Sequence, residues 1–328
     1  CLKKIIKKEE RNMKYIETLH EGERVLDVYL CKKKQSAMTK NGKAYDNLTL
    51  QDKTGVIDAK VWDPNSQGID EFEVLDYVEV TGEVTSFNGA LQLNVKRIRK
   101  VREGEYNPAD YVPTTNKDVE QMYTELMKYA EKVSNPYMKK LVDSFFREDA
   151  AFIHHFKKHS AAKTVHHGFV GGLLEHTLGV TRICVDFTRY YPLLKYDLLI
   201  PAAMFHDIGK IWEISSFPEN DYTDDGQLLG HIVMGYELLG KRIQKIENFP
   251  KKLESELKHC ILAHHGELEY GSPKKPALME AIALNIADIA DDRMEMMTEL
   301  LSSAGENDGW LGFNRFVDSN IRRTSREW

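Results

Sequence analysis

Near residues 103–117 the hydrophobic pattern of this chain changes its period, and that change limits the possible folds more than any other feature. Before it, apolar and polar residues alternate, as strands with one buried face require. After it, apolar residues recur at helical spacing, about every three to four positions. One sheet or one bundle cannot satisfy both periods, so the chain needs two domains of different class. Its 328 residues agree with that, at about 100–200 residues per domain.

The alternating part begins with RVLDVYLC (residues 24–31), where Val25, Val28 and Leu30 are among the apolar positions. A polar stretch with Asn41-Gly42, a hairpin-turn signal, leads to YDNLTL (45–50). Then follow VIDAKVW (56–62), YVEVTGEVTSF (77–87), a second turn signal at Asn88-Gly89, and LQLNVKRI (91–98). In the second of these runs Ile57, Ala59 and Val61 share one face, and Val56, Asp58, Lys60 and Trp62 the other. Short, closely spaced strands with an interior Gly82 predict a small five-stranded barrel of the OB type over residues 21–103.

Residues 104–117 read as a linker, with Pro108, Pro113 and a Thr-Thr-Asn cluster able to cap a following helix. Amphipathic runs then cover 119–134, 137–146, 173–190, 198–206, 228–246, 253–264 and 277–301. They predict an all-α bundle over residues 118–304. Pro201 implies a late start or a kink in its helix. Residues 1–20 are read as an N-terminal extension, with Met13 as the native start. The tail, 305–328, is less regular; Trp310, Phe313 and Phe316 are expected to dock on a neighbouring surface, and Arg322, Arg323 and Arg326 make a basic end.

Composition removes several function classes. The four cysteines (Cys1, Cys31, Cys184, Cys260) form no CxxC pair, which argues against a disulfide scaffold or zinc ribbon and suits a reducing cytoplasm. The longest apolar runs fall short of a membrane span of about 18 residues. A net charge of −6 argues against a surface that grips nucleic acid everywhere, although one local basic groove remains compatible with it.

The helical part carries most of the candidate chemistry. His176 lies in GGLLEHT, His206 and Asp207 in AAMFHDIGK, His231 in GHIVMG, His264 and His265 in LAHHG, and Asp288 in LNIADIADD. Each stands at or near the end of an apolar helical run. A lone histidine is more often a satisfied core or surface residue. An adjacent His and Asp after a buried run are costly to bury without a compensating ion. Imidazole and carboxylate donors suit a divalent transition ion, Mn²⁺ first, with Co²⁺, Fe²⁺ or Ni²⁺ also fitting.

With these residues in view, His176, His206-Asp207 and Asp288 resemble the H…HD…D signature of HD-domain metal-dependent phosphohydrolases. YDNLTLQDKTGVIDAKVWD resembles the second and third strands of nucleic-acid-binding OB domains. An OB domain before an HD domain, together with HHGFVGGLLEHT (166–177), resembles the YhaM family of bacterial 3′–5′ exoribonucleases from about residue 21 to 301. The resemblance implies His176, His206, Asp207 and Asp288 as core metal ligands, and His231, His264 and His265 as further ligands where two ions bind. Asp207 would then bridge the ions; a single ion on the core residues is the alternative. Adjacent residues on a helix point about 100° apart, so one of His264 and His265 is expected to face elsewhere. Asp292, one turn from Asp288, is a candidate supporting residue, with Asp291 beside it, although solvated surface charge is the commoner role.

The implied activity is hydrolysis of single-stranded RNA, and by the same chemistry DNA, to nucleoside monophosphates. A divalent ion activates water, and the ion with Lys210 offsets phosphate charge. Asp207 and Lys210 are thus the expected catalytic pair. His166 and His167 are candidates for protonating the leaving oxygen or binding phosphate; a plain surface-loop pair fits equally well. On the barrel, Tyr45, Trp62 and Phe87 offer stacking platforms, while Lys60, Lys43 and the run 32–34 offer charge for phosphates. For any one aromatic, core packing is the commoner role. Competing readings are an HD hydrolase of small nucleotides and a non-catalytic nucleic-acid-binding protein. Whether the chain forms a homo-oligomer stays open.

Overall fold

The computed structural model describes residues 13–39, 41–87, 89–163, 168–305, 308–315 and 317–325. His166, His167, Asn88, Phe316 and Arg326 lie outside the described residues. The chain divides into two units. One holds residues up to Thr114 together with Phe217–Glu219, and the other holds Thr115–Ser216 and Asn220 onward.

In the first unit the alternating runs become β1 (Arg24–Met38), β2 (Ala44–Asp52), β3 (Gly55–Val61), β4 (Tyr77–Phe87) and β5 (Ala90–Lys100). They close into a barrel of order β1-β2-β3-β5-β4, with β4 returning to β1 and β3 parallel to β5. This is the OB arrangement. Leu48, Leu50, Ile57, Ala59, Val61, Val80 and Leu93 fill the interior. Gly82 is required by close approach: a Cβ there would lie 2.5 Å from the Asn94 carbonyl, where the β4–β5 register slips.

Part of the segment expected to lie outside the barrel belongs to it. Leu19 is buried in its core. Tyr29 donates to the Lys14 carbonyl at 3.0 Å. The buried Asp52 carboxylate accepts from the amides of Ile16, Thr54 and Gly55. A short segment without strand periodicity shows no signal in the alternation, yet it satisfies polar groups at the barrel's edge.

In the second unit the helices are α1 (Val119–Glu131), α2 (Pro136–Phe146), α3 (Ala150–Lys158), α4 (Gly172–Tyr190), α5 (Tyr196–Phe205), α6 (Lys210–Glu213), α7 (Asp224–Ile243), α8 (Lys251–Ala263) and α9 (Met279–Ser303). Asp118, Asn135, Asp149 and Thr223 cap α1, α2, α3 and α7 through their side chains. A buried cluster of Phe145, Phe146, Phe152, Phe156 and Phe205, in largely edge-to-face contact, anchors α2, α3 and α5. Among the described residues no helix is long and apolar enough to cross a membrane.

The tail differs from expectation. It forms a hairpin, β6 (Trp310–Asn314) with β7 (Ser319–Arg322). Trp310 and Phe313 are 67% and 60% exposed, and Ile321 is the hairpin's buried residue among those described.

Candidate metal centre and nucleic-acid face

Each histidine of the cluster sits near where a helix starts, ends or breaks. His176 is in the second turn of α4. The chain leaves α5 at Phe205, so His206 and Asp207 stand at its open end. Gly209 follows in close contact with α7; a Cβ there would lie 2.0 Å from the His231 carbonyl. α7 is broken at Gly230 (φ 73°, ψ 156°), and His231 comes next. α8 stops at Ala263, His264 is its cap, and Gly266 (φ 80°) turns the chain away. Asp288 is in the middle of α9.

These elements bring the donor atoms together in two groups. His176, His206 and Asp288 form one, and His231, His264 and His265 the other; within each group the ligand atoms lie within 4.8 Å of one another. Asp207 faces both. Its Oδ2 is 3.5 Å from His176 Nε2 and 3.4 Å from His206 Nε2. Its Oδ1 is 3.4 Å from His231 Nε2 and 3.7 Å from His264 Nε2. Both His264 and His265 turn toward the cluster, their rings 4.3 Å apart. The expected divergence is not seen, although His264 keeps helical backbone dihedrals (φ −67°, ψ −28°).

All five imidazoles are anchored through Nδ1. His206 Nδ1 lies 2.7 Å from the Ala203 carbonyl, His264 Nδ1 2.7 Å from that of Ile261, and His265 Nδ1 2.8 Å from that of Tyr270. His231 Nδ1 lies 2.9 Å from Glu213 Oε1, and His176 Nδ1 2.9 Å from Asp291 Oδ2. Carbonyls and ionised carboxylates only accept, so the Nδ1 atoms hold protons, and Nε2 carries the lone pair in each ring that is neutral.

The Nε2 atoms face one another. His176 Nε2 and His206 Nε2 are 3.1 Å apart. Asp207 Oδ1, His231 Nε2 and His264 Nε2 are buried with no hydrogen-bond partner. A buried convergence of acceptors is unfavourable unless something positive lies among them. The donor set therefore fits a divalent transition ion, and neither group contains a cysteine.

The electrostatics favour positive charge at the centre: burial would lower His264, but the Asp207 and Asp288 carboxylates raise it. Burial pushes His206 and His265 down to about 4, which keeps both neutral, the form that binds metal. Burial would also lower His176, but the Asp288 and Asp291 carboxylates overcome it and hold its pKa well above the usual imidazole range. Burial would raise Asp207 and Asp288. For Asp207 the Lys210 ammonium and surrounding imidazoles outweigh it, and for Asp288 the His176 hydrogen bond does. Lys210 Nζ sits 2.6 Å from Asp207 Oδ2.

Sequence reasoning missed two supporting carboxylates. Asp291, not Asp292, holds His176; Asp292 Oδ1 is 3.7 Å away. Asp291 gains its approach from Gly179 on α4, where a Cβ would lie 1.9 Å from its Oδ1. A glycine inside an apolar helix, facing an acidic stretch of another, was the available signal. Glu213, three residues after Lys210, was the other. At the start of α4, Glu175 is buried and held by Thr115 Oγ1 and Lys117 Nζ.

On the barrel, Tyr45 and Trp62 stack with ring centroids 5.4 Å apart. Trp62 Nε1 donates to Asn94 at 3.1 Å, and its ring is about half exposed. Lys60 Nζ is bonded to Asn47 and lies 5.4 Å from the Tyr45 ring centre. Phe87 is exposed at the end of β4. These four side chains therefore stand on the outer surface rather than in the core. The run 32–34 does not offer a basic stripe. Lys32 Nζ donates to the carbonyls of Pro218 and Glu219, and Lys34 Nζ to that of Phe72. A hollow of about 530 Å³ beside Lys34 is lined by Asp46, Asp70 and Glu71, which disfavours phosphate there.

Comparison with known proteins agrees with both units. Residues 31–101 match the OB-fold nucleic acid binding domain family, and residues 173–293 match the HD domain family. The second OB-fold domain of replication protein A from Methanococcus maripaludis is 21% identical, with a TM-score of 0.24, covering 28% of this chain and 98% of that one. A closed OB barrel joined to a helical unit with a buried His/Asp cluster is the architecture of an OB–HD protein, a class of metal-dependent phosphohydrolases. Two 3′-5′ exoribonucleases YhaM match the chain in sequence over most of their length. That of Bacillus subtilis (strain 168) is 34% identical over 289 residues, covering 86% of this chain and 90% of the relative. That of Bacillus velezensis is 33% identical over 285 residues, with the same coverage. The chain belongs to the YhaM family of 3′-5′ exoribonucleases.

Proposed function

We propose that this protein is a metal-dependent 3′-5′ exoribonuclease that hydrolyses phosphodiester bonds of single-stranded RNA to nucleoside monophosphates, with single-stranded DNA as a second substrate. The observation that carries the reading is the convergence of His176, His206, His231 and His264 on Asp207, with His265 beside the last two and Lys210 at the carboxylate's edge.

His176, His206, Asp207 and Asp288 would hold one ion, and Asp207, His231, His264 and His265 a second. When bound, such ions supply an activated water and neutralise charge on the phosphoryl oxygens. Mn²⁺ suits the mixed imidazole and carboxylate donors; Co²⁺, Fe²⁺ and Ni²⁺ are the other candidates. Lys210 brings a permanently charged ammonium for the scissile phosphate, because pairing with Asp207 keeps its proton on despite burial. His166 and His167, just before α4 in the chain, are assigned to the substrate. The Tyr45–Trp62 pair stacks bases, Phe87 adds a further face, and Lys60 meets the backbone. Cys31, Cys184 and Cys260 are unpaired and buried, which supports a reducing cytoplasm.

The test uses purified protein, Mn²⁺ and a 5′-labelled single-stranded RNA. A ladder of shortening products with mononucleotide release is expected. Binding without cleavage in every divalent ion tried overturns the enzymatic reading, and internal cuts overturn the exonucleolytic one.

A further inference from the structure

The two halves of the centre lean on different carboxylates. Asp291 holds the His176 half. On the other side a single oxygen, Glu213 Oε1, accepts twice from one residue. His231 donates its backbone N–H at 3.0 Å and its Nδ1–H at 2.9 Å.

This double contact depends on the break in α7. In an uninterrupted helix the His231 amide would bond to the carbonyl four residues back. Gly230 takes a left-handed, extended conformation (φ 73°, ψ 156°), which releases that amide. Glu213 then caps the second part of α7 as an acidic N-cap does, at the positive end of the helix dipole.

Glu213 is itself fixed. It is buried at the end of α6, and its amide donates to the Gly209 carbonyl at 3.1 Å. Its carbonyl accepts from Thr223 N at 2.9 Å. Gly226 packs against that carbonyl so closely that a Cβ would lie 2.2 Å from it. The carboxylate is therefore delivered by a rigid clasp of α6 on the first turn of α7.

We propose that Glu213 is the positioning residue of the second ion: it sets the tautomer and ring orientation of His231, keeping Nε2 aimed at Asp207 Oδ1, 3.4 Å away. The proposal rests on the two-ion reading above. It makes the two halves separable, since the His176 half has its own anchor in Asp291.

Two conservative variants separate reach from charge. Glu213→Gln loses the charge, but its amide oxygen still accepts both N–H groups. Glu213→Asp keeps the charge and loses a methylene of reach. Each variant, the parent and His231→Ala are titrated with Co²⁺, counting ions per chain by elemental analysis and following visible Co²⁺ absorption. Thermal melting checks that all are folded. The parent is expected to hold two ions, and Glu213→Gln also two. Glu213→Asp is expected to bind the second ion about 10–100-fold more weakly, with a spectrum matching His231→Ala. A Glu213→Asp protein that fills both sites with parental affinity overturns the assignment. So does a Glu213→Gln protein that loses the ion as Glu213→Asp does, since charge and not orientation would then matter. A parent that holds fewer than two ions overturns the two-ion centre itself, whatever the variants do.

Discussion

The barrel and the helical unit place in opposite ways the side chains proposed to act. On the barrel, apolar side chains point in, and Tyr45, Lys60, Trp62 and Phe87 stand on the outer surface. They can be exchanged without opening the core. In the helical unit the histidines and carboxylates are inside, among Leu173, Leu174, Phe205 and Leu284. There the chemistry is also part of the packing, and each polar group must be satisfied or paired with an ion. Perturbing the barrel should therefore change how a strand is held, whereas perturbing the bundle should change both chemistry and stability.

The largest expected effect is metal removal. Chelation should abolish hydrolysis and lower the unfolding transition of the helical unit, by about 4 kcal/mol per site when the ion had stood at about 1,000 times its Kd. The barrel transition should stay in place. Calorimetry of the chelated and loaded protein checks this; equal shifts in both transitions would break the comparison. Next is Asp207→Ala, which takes an oxygen from each half. Turnover should fall by about 10³-fold or more, while binding of a long strand is unchanged by fluorescence anisotropy. A variant that still turns over at the parental rate would refute the metal-site assignment.

A smaller effect tests packing alone. Gly179→Ala adds a methyl where Asp291 needs to be. Metal affinity should drop by about 10–100-fold through His176, measured by Co²⁺ titration, with RNA binding to the barrel intact. On the barrel, Trp62→Ala should cost about 1–3 kcal/mol of strand affinity, the worth of one stacked base. It should leave dinucleotide hydrolysis at its parental rate. Equal losses on long strands and dinucleotides would show that the barrel is not a tether. The smallest is Lys60→Ala, expected to reduce the salt dependence of single-strand binding by about 0.7 in log–log slope if one phosphate contact is lost.

Much of this was legible in the residues. The change of period separated the two classes of structure, and alternation in 56–62 told inner from outer faces. The histidine positions were visible as polar residues closing apolar runs. Other parts depend on tertiary geometry. α3 is nine residues long and holds two adjacent histidines and two lysines, so its apolar stripe is short. The choice of Asp291 over Asp292 follows from how α9 crosses α4 over Gly179, which no local pattern encodes. Glu213 depends on a helix break at Gly230, and a glycine in a helical run is ambiguous until the backbone is seen. That His264 and His265 both face the cluster is likewise set by how α8 packs, not by their adjacency in the sequence.

Asp288 and Asp291 both lie on α9, the last long helix of the chain, while His176 lies on α4, more than a hundred residues earlier. During synthesis the earlier helices emerge first, yet His176 lacks Asp288 and Asp291 until residues 279–303 have docked. Contacts of such sequence separation close late, since the connecting loop must lose its freedom before they are formed. Completion of the His176 group thus waits for α9 to dock. A truncated or stalled chain carries the histidines but cannot complete the centre.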